Sequence, residues 1–152
     1  MKSEIIILGS TGSIGESVLN SIKENNKYKL NLLTTNKNAK KILKQAKKYK
    51  VKNVIIEDKK QYIIFSKIFK KNKINFYLGH KNIDKIIKKK VDYCINAISG
   101  THGLEPTLNT IHLTKNILIA NKESIICAWN LIKKELDKYK TNFLPVDSEH
   151  FS

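Results

Sequence analysis

The sequence predicts an α/β protein with a doubly wound, mostly parallel sheet and helices on both faces. Three observations carry that expectation. Short runs rich in Ile, Val and Leu alternate with segments of helical periodicity along the whole chain. The first run stops at Gly9, and Gly12 and Gly15 follow at intervals of three before a helical pattern begins. Small and polar residues gather just after the apolar runs, at the sheet edge where open α/β folds bind ligands.

The elements follow in order. Glu4–Leu8 is a strand with Ile at three successive positions, apolar on both faces as a central parallel strand must be. A helix over Ser13–Asn25 comes next, with Ser13 as its N-cap. Strand Lys29–Thr34 leads through a polar turn to helix Ala39–Tyr49, and strand Asn53–Glu57 to helix Lys59–Lys71. A short strand, Asn75–Tyr77, precedes helix Ile83–Lys89. Strand Tyr93–Ala97 precedes helix Gly103–Leu113, which Thr101 or His102 would cap. Strand Ile117–Ala120, helix Lys122–Tyr139 and strand Asn142–Pro145 complete the series. Joined by right-handed crossovers, these make a Rossmann-like sheet. With no repeat or linker, the 152 residues read as one domain.

Composition narrows the function classes. At 41% hydrophobic and 28% charged residues the chain is globular rather than disordered. Its apolar runs fall far short of the roughly 18 residues of a membrane span, and the N-terminus lacks the pattern of a secretory signal. A cytoplasmic protein is expected. The net charge of +16 invites a nucleic-acid partner, yet every basic residue is Lys, and phosphate readers favour the planar fork of Arg. The lysines lie scattered along helix faces, so no nucleic acid and no membrane is expected as partner. Cys94 and Cys127 share no metal-type spacing and read as reduced, buried thiols. Trp129 reads as core.

Four loops carry the candidate chemistry. In "GSTGSIG", Gly9 allows a sharp exit from the strand, Gly12 lets backbone approach a phosphate, and Gly15 lets helix pack on strand. Exposed N–H groups in that turn suit an anion. A plain strand–helix turn is the alternative. After the second strand, dinucleotide sites for NAD place an acid on the ribose. Asn36, Lys37 and Asn38 stand there instead, and a cation with amide donors suits the 2′-phosphate of NADP. In "AISGTHG" the slender residues Ala97, Ile98, Ser99 and Gly100 suit the flank of a flat cofactor. In "ILIANKES" a strand ends in Asn121, Lys122 and Glu123, facing the same cleft. Finally, if "VDSEH" runs extended, Asp147 and Glu149 point to one face. Such paired hard oxygen donors suit Mg²⁺ or Mn²⁺, completed by substrate, water or another acid.

Together "GSTGSIG", "AISGTHGLEPTL", "ILIANKES" and "LPVDSEH" resemble the N-terminal NADPH-binding domain of the 1-deoxy-D-xylulose 5-phosphate reductoisomerase family, in order and in spacing. The resemblance covers the chain from the first strand to its last residue. It implies conversion of 1-deoxy-D-xylulose 5-phosphate, a phosphorylated sugar, to 2-C-methyl-D-erythritol 4-phosphate by rearrangement and reduction with NADPH. It implies Gly9, Thr11, Gly12, Ser13 and Ile14 around the cofactor pyrophosphate and ribose. Asn36, Lys37 and Asn38 would lie near the 2′-phosphate, although Asn36 stands where relatives often have Gly. Asn121 and Glu123 would contact the cofactor. Lys122 and Ser148 would act on the substrate, and Asp147 and Glu149 would hold the metal, with Glu149 also at the reacting centre. The chain ends two residues after "DSEH", before the family's catalytic and C-terminal domains. It is expected to be a fragment that binds NADPH weakly and turns nothing over. Full-length relatives are homodimers, which the resemblance extends to the whole protein. The rivals are a stand-alone NADP-binding module and another NADP-dependent reductase, such as a semialdehyde or homoserine dehydrogenase.

Overall fold

A computed structural model describes residues 1–146. Seven parallel strands form one sheet in the order β4-β3-β2-β1-β5-β6-β7. They are β1 (Ser3–Leu8), β2 (Tyr28–Thr35), β3 (Asn53–Ile56), β4 (Asn75–Leu78), β5 (Val91–Asn96), β6 (Thr114–Ile119) and β7 (Asn142–Pro145). The helices are α1 (Ser13–Lys23), α2 (Ala39–Lys48), α3 (Lys59–Lys71), α4 (Ile83–Ile86), α5 (Leu104–Thr110) and α6 (Lys122–Tyr139). From β1 the chain winds outward to β4, then returns to the other side of β1 and winds outward again. The direction of winding therefore reverses between β1 and β5, the point at which loops on the carboxyl edge part and leave a crevice.

The period of two in β1 divides the core. Ile5 and Ile7 join Val18, Leu19, Ile42 and Phe69 on the α1–α2–α3 side. Ile6 and Leu8 join Ile83, Ile111, Ile132 and Leu136 on the opposite side. Both layers are apolar, so β1 carries no polar side chain between Ile5 and Leu8 and is almost wholly buried there. Past α1, the β5 and β6 side chains Tyr93, Ile95 and Leu118 line an open, mainly apolar groove of about 390 Å³.

Element ends differ from the sequence reading where tertiary pairing overrides local pattern. β6 starts at Thr114, because Thr114 and Asn116 pair with Val91 and Tyr93. α4 stops at Ile86, since Ile87 turns extended to bury its side chain. The helix expected over Gly103–Leu113 is a short α5 between two 3₁₀ turns, Gly100–Gly103 and Ile111–Leu113. Neither Thr101 nor His102 caps it; it follows Gly103 without a side-chain cap. α6 is kinked at Ala128, where φ is −139°, with no Pro or Gly to announce it. Trp129 is 38% exposed, its edge set against Phe143, rather than core.

The two cysteines also part company. Cys94 is buried beside Thr110, and burial pushes its thiol up to about 12, whereas Cys127 is exposed. A thiol reagent at pH 8 is therefore expected to label one cysteine per native chain and two in denaturant. Rapid labelling of both in the native protein would contradict the burial of Cys94.

Candidate functional site

All strands being parallel, their carboxyl ends open on one edge, and the loops after β1, β2, β5 and β6 meet there. The glycine loop is its centre. Gly9 has φ +77°, and a Cβ on it would stand 2.9 Å from Ile98 Cγ1, so the loops after β1 and β5 touch at this glycine. Gly15 faces the chain itself: its Cβ would fall 2.6 Å from Ser10 Cα and closer still to the Gly9 carbonyl. Gly12 is different. Among the described residues a Cβ there would meet only the Gly9 carbonyl, at an ordinary 3.6 Å, so none of them demands a glycine.

The start of α1 is open. Ser13, expected as N-cap, is instead the first helical residue. Gly12 occupies the cap position, and no side chain caps the turn. Glu16 is the first residue of α1 whose N–H reaches back into the helix, to the Gly12 carbonyl at 2.9 Å. The N–H groups of Ser13, Ile14 and Gly15 precede that first intrahelical bond, and such first-turn donors are the usual seat for an anion. Thr11 and Ile14 are half-buried, while Gly12 and Ser13 are exposed.

Side chains from β2 and α2 hold this loop, and sequence reading missed them. Thr34 Oγ1 accepts from the Gly9 N–H at 3.0 Å, and Thr35 Oγ1 lies 2.6 Å from Thr11 Oγ1. Buried Gln45 accepts from the Ser10 hydroxyl at 2.8 Å and donates to the Ser10 carbonyl at 2.9 Å. A polar Gln between Ile42 and Ala46 on the buried stripe of α2 is the signal that marks it.

The β2–α2 turn presents Asn36, Lys37 and Asn38, all exposed. The Asn36 carbonyl accepts from the N–H groups of Glu57 and Asp58, which ties the turn to the end of β3. Asn38 caps α2, its side chain accepting from the Lys41 N–H at 3.2 Å. Lys41 pairs with Glu16 at 2.9 Å, linking the first turns of α1 and α2. Lys37 forms no ion pair among the described residues. Beyond β3, the Glu57 carboxyl accepts from both the His80 ring and the His80 backbone N–H, and the ring's bond holds it below its ordinary value.

On the other side of the crevice, buried Asn96 organises the loop after β5. It donates to the Gly103 carbonyl at 2.8 Å and to Thr107 Oγ1 at 2.5 Å, and accepts from the Ile98 N–H at 3.0 Å. Asn121 is likewise buried. It accepts from the Ser124 N–H as N-cap of α6 and donates to the Ile98 carbonyl at 2.6 Å, so its amide shapes the loop beside Gly9. Lys122 and Glu123 are exposed in the first turn of α6. Asp147, Ser148 and Glu149 lie outside the described residues. Among the described residues no cluster of three His, Cys, Asp or Glu side chains is gathered to hold a metal.

A glycine loop feeding an uncapped helix start, at the strand-order reversal of a parallel sheet, defines a doubly wound domain of the Rossmann class. The chain belongs to the 1-deoxy-D-xylulose 5-phosphate reductoisomerase family, whose model matches residues 5–129. It is 55% identical over 152 residues to the reductoisomerase of Pelagibacter ubique, covering 98% of this chain and 39% of the relative. The enzyme of Clostridium tetani is 39% identical, with 96% and 39% covered. Among solved structures, the Zymomonas mobilis reductoisomerase in complex with NADPH superposes with a TM-score of 0.87 at 33% identity, over 98% of this chain and 40% of that one. A reductoisomerase in complex with NADPH, fosmidomycin and magnesium gives 0.87 at 32%, covering 97% and 37%. A hyperthermophilic archaeal homoserine dehydrogenase in complex with NADPH reaches 0.56 at 13% identity, a likeness of fold alone. The chain spans about two fifths of the length of the curated relatives it matches. No helix among the described residues is long and apolar enough to cross a membrane.

Proposed function

We propose that residues 1–152 are the NADPH-binding domain of a 1-deoxy-D-xylulose 5-phosphate reductoisomerase, acting in the cytoplasm as part of a homodimeric whole protein. Its reaction is the isomerisation and reduction of 1-deoxy-D-xylulose 5-phosphate to 2-C-methyl-D-erythritol 4-phosphate, with Mn²⁺ or Mg²⁺. The observation that carries the reading is the α1 start. Gly12 is exposed, no side chain among the described residues caps the turn, and their packing has no use for a glycine there. Two unpaired cysteines suit a reducing compartment.

In this reading the backbone from Gly9 through Thr11, Gly12, Ser13 and Ile14 holds the pyrophosphate. Lys37, flanked by Asn36 and Asn38, neutralises the 2′-phosphate. Asn121, which also shapes the loop beside Gly9, and Glu123 contact the cofactor. Lys122 and Ser148 bind substrate, and Glu149 serves it together with the metal. The donor chemistry of Asp147 and Glu149, two carboxylates, fits a hard divalent cation. When bound, NADPH supplies the reducing equivalent and the metal polarises substrate oxygens. The carboxylates also weigh against a stand-alone cofactor module, which has no need of them. The 152 residues by themselves are proposed to bind cofactor without turnover.

Calorimetric titration tests the reading. NADPH is expected to bind more tightly than NADH, and Lys37→Ala to weaken NADPH about tenfold while leaving NADH unchanged, the scale of one charge-assisted contact. Equal affinity for the two dinucleotides would remove the Lys37 assignment. Absence of binding by the folded chain would remove the cradle. Oxidation of NADPH by the 152-residue chain with substrate and Mn²⁺ would show that no further domain is needed.

A further inference from the structure

Four hydrogen-bonding groups run across the carboxyl edge from β3 and β4 to the glycine loop. The Glu57 carboxyl, at the end of β3, accepts from His80 Nδ1 and from the His80 backbone N–H at 2.7 Å. His80 Nε2 lies 3.3 Å from Thr34 Oγ1, and Thr34 Oγ1 accepts from the Gly9 N–H at 3.0 Å. Polarity sets the order. An ionised carboxylate only accepts, so an Nδ1–H faces Glu57, and in the Nδ1–H tautomer Nε2 is an acceptor. In that tautomer the Thr34 hydroxyl donates to Nε2 and keeps a lone pair for Gly9. In the resulting row, Gly9 N–H to Thr34 O–H to His80, each bond polarises the next. The His80 side chain is only 11% exposed, which shelters the row from water. Its turn is pinned in place, with Asn82 donating to the Leu78 carbonyl at 2.5 Å and the Gly79 N–H to the Ile56 carbonyl at 2.9 Å.

We propose that Glu57, His80 and Thr34 are positioning residues for the glycine loop, so that a histidine at the end of the outermost strand sets cofactor affinity. Gly9 is the pivot at positive φ from which the whole cradle hangs. Its N–H is held by a side chain rather than by a neighbouring strand's carbonyl, and that side chain is oriented by His80 rather than by its own element. The proposal rests on the reading that the cradle takes NADPH.

The experiment measures the NADPH dissociation constant and the exchange rate of the Gly9 amide proton in the same 152-residue chain and its variants. Thr34→Val and His80→Leu are each expected to weaken NADPH about three- to tenfold, the scale of one hydrogen bond. Together they should weaken it no more than about twofold beyond the worse single variant, because both break one row. Thr34→Ser keeps the hydroxyl and is expected to bind like the parent. Gly9 exchange should quicken in Thr34→Val and His80→Leu but not in Thr34→Ser. Should His80→Leu fail to fold, Glu57→Gln on the exposed end of the row serves in its place, with a smaller loss of the same sign. Unchanged affinity and unchanged Gly9 exchange in His80→Leu, or losses that simply multiply in the double variant, would overturn the proposal. If the parent chain binds no NADPH, the functional reading fails, and Gly9 exchange alone still decides whether the row holds the loop.

Discussion

Gly15→Ala is expected to destabilise the domain by about 3 kcal/mol, whereas Gly12→Ala should cost at most about 1 kcal/mol, the N-cap preference for Gly over Ala, and weaken NADPH about tenfold. The two glycines sit three residues apart, and the sequence pattern assigns them different work, phosphate approach at Gly12 and helix–strand packing at Gly15. At Gly15 a methyl group would meet Ser10 Cα at 2.6 Å and the Ser10 carbonyl carbon at 2.8 Å, backbone atoms already fixed by Thr34 and Gln45. Alanine gains about 1 kcal/mol over glycine inside a helix, which is too little to offset driving α1 away from β1. At Gly12 φ is −78° and the new contact is 3.6 Å, so alanine fits without strain. Its methyl group would then stand on the open surface proposed to take the pyrophosphate. Denaturant midpoints and cofactor titration of both variants check the contrast. A stable Gly15→Ala chain, or a Gly12→Ala chain with parental NADPH affinity, would contradict the division of labour.

Asn96→Ala is expected to cost about 3 kcal/mol, from three hydrogen bonds of roughly 1 kcal/mol each and the buried groups they leave behind. Asn96 has no exposed surface, and its partners belong to the loop after β5 and the start of α5. The Ile98 N–H loses its acceptor, and Ile98 is the residue against which Gly9 turns. The loss should therefore appear twice, as a lower denaturant midpoint at constant slope and as weaker NADPH binding. A change below about 1 kcal/mol would mean that the loop finds other partners once the amide is gone.

Much of this architecture is legible in the sequence because it is written in local period. The unbroken apolar run Ile5–Leu8 and the spacing of Gly9, Gly12 and Gly15 need no knowledge of neighbours. They place a strand, a turn and a helix in order, and the polar residues at 36–38 and 121–123 fall at the edge those elements imply. The "AISGTHGLEPTL" and "ILIANKES" segments carry the family resemblance in the same way, as short contiguous strings.

What local period does not encode, the tertiary structure decided. Thr114–Asn116 read as loop by composition, yet they are strand because β5 lies alongside. Ser13 is a good cap in isolation, but the chain enters α1 through Gly12, and the open turn that results is the one proposed to seat the pyrophosphate. Asn121 reads as a group facing the cleft, while its amide is engaged at Ser124 and Ile98. The groups that hold the glycine loop, Thr34, Gln45 and His80, are 25, 35 and 46 residues from their partners in sequence. Their meeting depends on strand order. The sequence by itself determined which segments are strands and helices and where the chemistry-bearing loops fall, because side-chain burial repeats with backbone period. The fold alone decided which polar groups find one another, because a hydrogen bond needs two atoms within about 3 Å, and only the winding of the sheet brings them there.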